Sequence, residues 1–171
     1  LSSDGTIVAI GAYSNDANGS LSGHVRVYSW NGTLWSKLGS DIDGEATGDR
    51  SGHSVSLSSD GTIVAIGATG NDGNGSSSGH VRVYQYSSGS WTKLGLDIDG
   101  EAADDYSGNS VSLSSDGTIV AIGAYSNDAN GSLSGHVRVY SWNGTLWSQL
   151  GSDIDGEAAS DASGLSVSLS S

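Results

Sequence analysis

Thr6-Ile7-Val8-Ala9-Ile10-Gly11-Ala12 is an uncharged run that returns unchanged at residues 62–68 and again at residues 118–124. Ile7, Ala9 and Gly11 fall on one side of an extended chain, and Val8, Ile10 and Ala12 on the other. A strand on a one-sided sheet alternates apolar with polar residues. Here both sides are apolar or small, so the run reads as a strand covered on both faces. Its β-branched content, its brevity and the preceding Asp4-Gly5 argue against a helix.

Working outward, the whole chain is periodic. Leu1, Leu57 and Leu113 open copies 56 residues apart, giving repeats at 1–56, 57–112 and 113–168, with 169–171 starting a fourth. Copies one and three differ only at Lys37/Gln149, Thr47/Ala159, Gly48/Ser160, Arg50/Ala162 and His53/Leu165. A chain that opens and closes inside a repeat is expected to be a segment of a longer protein.

Each period is predicted to hold four strands. The first is of the Ser-Val-Ser-Leu-Ser type, residues 54–58. Asp60-Gly61 turns the chain, because glycine supplies a positive φ. The second strand is the apolar run. A polar loop leads to the third, residues 24–30, with clean alternation. Asn31-Gly32-Thr33 turns into the fourth, residues 34–38, and an acidic crossover through residue 52 reaches the next period. Polarity rises from the second strand to the fourth, as in a propeller blade whose inner strands are buried by neighbours. The expected fold is all-β: three four-stranded antiparallel β-propeller-type blades of 56 residues, an incomplete ring or part of a longer array. Three blades are too few to close a ring.

Composition narrows the function. Cysteine is absent, which excludes disulfides, thiolate metal sites and thiol nucleophiles. The net charge of −13 disfavours nucleic acid and anionic membranes, and no apolar run reaches a membrane span, so neither nucleic-acid binding nor membrane insertion is expected. An acidic, cysteine-free, Ser/Gly/Asn/Asp-rich β protein fits an extracellular or cell-surface location.

The run from Ser51-Gly52 through Gly67-Ala68, with the downstream Gly23-His24-Val25-Arg26-Val27-Tyr28, resembles the FG-GAP repeat of integrin α-subunit-like β-propellers. The resemblance covers all three copies and implies the propeller fold. The family's Phe and Pro are replaced: the pairs read Ser51-Gly52, Ser107-Gly108 and Ser163-Gly164, and the triplets Gly11-Ala12-Tyr13, Gly67-Ala68-Thr69 and Gly123-Ala124-Tyr125. The integrin calcium loop is shortened here to Ser-Ser-Asp-Gly-Thr, too few oxygens for calcium, and is not carried over.

The candidate metal site is instead the acidic crossover, with calcium the expected cofactor: Asp41, Asp43, Glu45 and Asp49, recurring as Asp97, Asp99, Glu101 and Asp105 and as Asp153, Asp155, Glu157 and Asp161. Against it stands a solvated loop whose carboxylates cap turns. Arg26, Arg82 and Arg138 share one strand position and are expected to pair with carboxylates of their own or the next blade, Asp41 or Asp43 being natural partners in a repeated structural pair. His24, His80 and His136 are expected to be hydrogen-bonded at a strand edge. Trp30 with Trp35, Tyr86 with Trp91 and Trp142 with Trp147 are expected to pack across a hairpin, the alternative being to stack on sugars. Asn18, Asn31, Asn74, Asn130 and Asn143 sit in Asn-Gly-Ser/Thr triplets, candidate glycosylation positions that are also good turn sequences.

No catalytic motif is found, and near-identical copies point to structure, since an active site breaks a repeat's symmetry; no enzymatic activity is expected. The expected function is an extracellular structural or adhesive module, part of a fibre, adhesin or sheath. Its expected partners are copies of itself or neighbouring repeats. The alternative is a lectin-like or ligand-binding propeller with glycans as partners.

Overall fold

The computed structural model describes residues 1–170; of the expected fourth-repeat start, Ser171 lies outside them. Among the described residues there are three antiparallel sheets and no helix. The first holds β1 (Ile7–Ala12), β2 (His24–Trp30), β3 (Trp35–Lys37) and β4 (Ile42–Asp43). The second holds β5 (Ser51–Leu57), β6 (Ile63–Ala68), β7 (His80–Ser87), β8 (Ser90–Lys93) and β9 (Ile98–Asp99). The third holds β10 (Ser110–Leu113), β11 (Ile119–Ala124), β12 (His136–Trp142), β13 (Trp147–Gln149) and β14 (Ile154–Asp155).

The crossover is not all loop. Ile42–Asp43 pairs with β2, Val25 facing Ile42 and His24 facing Asp43. The outer lane of each sheet is thus one edge in two pieces, broken where Gly39 takes a φ of 77°. Sequence reading missed the second piece because two residues carry no periodicity. The expected four strands become five short ones in the second and third sheets and four in the first, where among the described residues β1 is the innermost strand.

The core lies between sheets. Val64 and Ile66 of β6 pack with Val25, Val27 and Ile42 of the first sheet. Ala65, on the opposite face of β6, packs with Val81, Val83 and Ile98 against Leu113, Val120 and Ile122 of the third. Alternate residues of one strand therefore feed two separate cores, which is why the run needs no polar face. The repeated glycine serves this stacking: a Cβ at Gly67 would strike the carbonyl oxygen of Gly108, at the head of the next sheet.

Tight turns precede the apolar strands. Asp116 accepts hydrogen bonds from the Thr118 amide at 3.0 Å and the Ser114 hydroxyl at 2.7 Å. These donors, the Thr118 amide first, hold its carboxyl down to about 2. Asp4 and Asp60 make the same contacts.

Candidate functional site

The acidic crossovers and the repeated cations meet at the junctions between sheets. Arg82 is buried; its Nη1 lies 3.0 Å from Glu45 Oε1, and its Nη2 donates to the Asp43 carbonyl at 3.0 Å. Arg138 repeats this with Glu101 at 3.4 Å and the Asp99 carbonyl at 2.7 Å. Arg26, in the first described sheet, pairs with Asp41 of its own sheet at 2.9 Å, and Lys37 joins at 2.8 Å. The Arg26 hydrogen bonds first, then Lys37, hold the Asp41 carboxyl down to about 2.

The expected sets of four carboxylates are not gathered as such. Asp49, Asp105 and Asp161 turn back to cap their own loops, accepting from the amides of Ala46, Ala102 and Ala158. Glu45 and Glu101 cross to the next sheet, while Glu157 is exposed. The carboxylates that remain converge on histidine instead: His24 with Asp41 and Asp43, His80 with Glu45 and Asp97, His136 with Glu101 and Asp153. Asp99 lies 4.0 Å from His80 Nδ1, and Asp155 is exposed in β14. These groups of donors could hold a metal ion. The histidines are not the hydrogen-bonded edge residues expected: all three are buried, and neither ring nitrogen of His136 has a partner among the described residues. Burial pushes the His80 pKa down, Arg82 adding to the effect.

The aromatic pairs form across the hairpin, with ring centroids 5.1–5.5 Å apart. Trp91 and Trp147 also donate from Nε1 to Leu38 and Leu94 of the preceding sheet, at 2.8 and 2.9 Å. The side-chain amides of Asn18, Asn74 and Asn130 donate to the crossover carbonyls of Gly44, Gly100 and Gly156. Asn31 and Asn143 cap their hairpins through Oδ1.

A second constellation lies at one rim. Arg50, His53, Thr69, Tyr106, Asn109 and Tyr125 line one pocket. His53 Nε2 is 3.3 Å from Asn109 Oδ1, and the Asn109 amide donates to the Leu165 carbonyl at 3.2 Å, so equivalent positions of three periods form a ladder. Tyr106 stacks on Tyr125 at 5.9 Å and 18°. Arg50, Tyr106 and Ala162 all sit at positive φ, 58°, 53° and 52°, a strained conformation for residues other than glycine. Sequence reasoning passed over this pocket. The signal was present: these are positions where the copies diverge.

The profile of the FG-GAP repeat matches residues 40–84 and 97–140, together just over half of the chain. The chain belongs to the FG-GAP repeat family. No curated protein matches it. Among solved structures this FG-GAP chain is similar to a candidate 6-phosphogluconolactonase of Bacteroides fragilis, at a TM-score of 0.63 and 12% identity over 94% of this chain and 39% of that one. A candidate 6-phosphogluconolactonase of Bacteroides uniformis gives 0.56 and 14% over 90% and 39%. The periplasmic gluconolactonase of Pseudomonas aeruginosa, PpgL, gives 0.51 and 17% over 84% and 36%. The FG-GAP chain thus spans under two fifths of each of these proteins. At such identities the likeness carries the β-propeller-like fold and not the activity.

One expectation is corrected by these structures. The sequence points to no enzymatic activity, yet these three proteins of like fold are named as lactonases, two of them as candidates. Loops of successive blades converge at a rim, so residues from separate repeats can assemble a site with no sequence signature, and a missing motif excludes nothing.

Proposed function

We propose that this chain is a self-complementary repeat module of an extracellular structural or adhesive protein, in which each blade is completed by the next. The observation that carries the reading is that its two end faces are halves of the junction found twice inside it. Val8, Ile10, Tyr28 and Trp35 line an open apolar groove on the first blade, whereas their counterparts Val64, Ile66, Tyr84 and Trp91 pack on the preceding blade. At the other end Ile154 is 58% exposed, against 5% for its counterpart Ile98. Residues 164–169 lie along β10 through Ser110 Oγ to the Gly164 carbonyl, 2.8 Å, and the Leu169 amide to Ser112 Oγ, 3.0 Å.

That terminal segment has the sequence of a first strand, and β1 has an open inner edge. In the second blade Leu57 faces Val64 and Val55 faces Ile66. Carried over by the period, Val167 faces Ile10 of the following unit, whose own Leu1 holds the place of Leu57 opposite Val8. Strand addition of this kind supplies main-chain hydrogen bonds and alternate side-chain pockets together. Head-to-tail repetition yields a ring where the rotation closes and a filament where it does not. The unit is a further copy of this chain or an adjoining repeat of a longer one. The extracellular setting is supported by the acidic composition and the family resemblance to integrin propellers.

Sedimentation velocity over a concentration series, with electron microscopy of the associated fraction, tests this. Association is expected and is expected to fall away in Ile10→Lys, a change at an exposed position. A chain that stays monomeric at high concentration, or a variant that associates like the parent, overturns the reading.

A second reading, a ligand-binding propeller that uses its rim, is favoured by the pocket of diverged residues from Arg50 to Tyr125. Paired tyrosines beside Arg50 and Asn109 offer stacking faces and hydrogen bonds of the kind that hold sugars. A glycan array tests it, with Tyr106→Ala expected to abolish any hit. An array without saturable binding removes this reading.

A further inference from the structure

We propose that the junction between the second and third sheets is a binding site for a divalent transition-metal ion such as Zn2+, held by His136, Glu101 and Asp153. This rests on the side chains at one junction and stands apart from the proposal of end-to-end assembly. His136 Nδ1 lies 3.9 Å from Glu101 Oε2 and 3.8 Å from Asp153 Oδ2. These separations are too long for hydrogen bonds. Ligands around a tetrahedral Zn2+ at about 2.0–2.2 Å sit roughly 3.3–3.5 Å apart, so closure asks about half an ångström of each side chain. His136 is 1% exposed, and both ring nitrogens are buried without a hydrogen-bond partner among the described residues. An imidazole in that position costs stability that a cation at Nδ1 would offset.

Neighbouring side chains orient both carboxylates. Arg138 Nη1 faces Glu101 Oε1 at 3.4 Å, leaving Oε2 towards His136. Gln149 Nε2 donates to Asp153 Oδ1 at 2.6 Å, leaving Oδ2 towards His136. Such outer partners orient metal ligands and fix their basicity. Both carboxylates remain partly open to solvent, which gives an entry path and a position for water as the fourth ligand. A nitrogen donor with two carboxylates selects a borderline ion over calcium, which takes six to eight oxygens.

The other two junctions serve as internal comparisons. At His80 both carboxylates of the equivalent cluster are already taken by cations, Glu45 by Arg82 and Asp97 by Lys93 at 2.6 Å, with Asp99 a third carboxylate 4.0 Å from Nδ1. At His24 the group is Asp41 and Asp43, and Asp41 is held by both Arg26 and Lys37. Only at His136 is the lysine replaced, by Gln149, so two carboxylates face one cation. Of the five differences between copies one and three, this is the one that removes a positive charge from a metal-ligand cluster.

Calorimetric titration of EDTA-treated chain with ZnCl2, with native mass spectrometry for stoichiometry, tests the site. One tight equivalent per chain is expected, outcompeting CaCl2, lost in His136→Asn and kept in His80→Asn. Gln149→Lys, at an exposed position where both other copies carry lysine, is expected to fold normally and to bind roughly tenfold more weakly, as one more positive charge near a dication requires. No heat with ZnCl2, preference for calcium, or full affinity in a folded Gln149→Lys overturns the proposal.

Discussion

Ile10 and Ile66 occupy the same place in identical heptapeptides, yet Ile66 is 1% exposed and Ile10 is 50% exposed. Truncating each to alanine isolates what a preceding sheet contributes. Ile66 sits among Val25, Val27, Ile42 and Val64. Ile66→Ala removes three carbons from a closed core, and such truncations cost about 2–5 kcal/mol, transfer and cavity terms together. At Ile10 the same carbons are half in water and leave no cavity. At ~0.8 kcal/mol per methylene and half burial the expected cost is about 1 kcal/mol. For a chain of this size each kcal/mol moves the melting temperature by about 2–4 °C, so Ile66→Ala is expected to melt roughly 5–15 °C lower and Ile10→Ala only a few degrees lower. Differential scanning fluorimetry at low concentration, where association is minimal, reads both. Equal losses in dilute solution would mean that β1 is already covered on both faces, and the account of two cores fed by one strand would fail. If end faces associate as proposed, the Ile10→Ala penalty grows with protein concentration while that of Ile66→Ala does not.

Gly67→Ala pushes a methyl group into the Gly108 carbonyl across the junction and is expected to cost about 1–3 kcal/mol, read as a lower urea midpoint at unchanged slope. Arg82→Ala unpairs Glu45 and frees the Asp43 carbonyl at a buried position, about 1.5–3 kcal/mol, while Arg26→Ala, at an exposed pair, is expected to cost under about 1 kcal/mol by the same measurement. Asp116 and Asp41 have folded pKa values near 2, below the usual 3.8, so the stability they contribute is full above about pH 4 and is lost as pH falls towards 2. Asp116→Asn is expected to flatten the melting temperature over that window, and an unchanged profile would remove the turn carboxylates from the acid response.

The strand that decides the fold was legible because its residues answer to two neighbours at once: Val64 and Ile66 to one sheet, Ala65 to the other. The hairpins were legible through Asp-Gly and Asn-Gly. Ile42–Asp43 was not, since a two-residue strand leaves no period to read. The Arg–carboxylate pairing was foreseen in kind, but Glu45 and Glu101 as the buried cations' partners were not. Which carboxylate crosses a junction depends on the stagger between sheets, which no linear spacing encodes. The histidine clusters were missed for the same reason: His136 and Glu101 are neighbours only because adjacent periods stack. The rim pocket lay hidden in plain letters, at the few positions where the copies disagree.

The boundary of the written unit and the boundary of the folded unit do not coincide, since β5, encoded at the end of one period, is the inner strand of the sheet built from the next. A gene rearrangement that inserts or deletes one whole period therefore restores the same interlock wherever the break falls. Unequal crossing-over becomes harmless to folding, and the number of modules can drift between lineages while every seam stays sound.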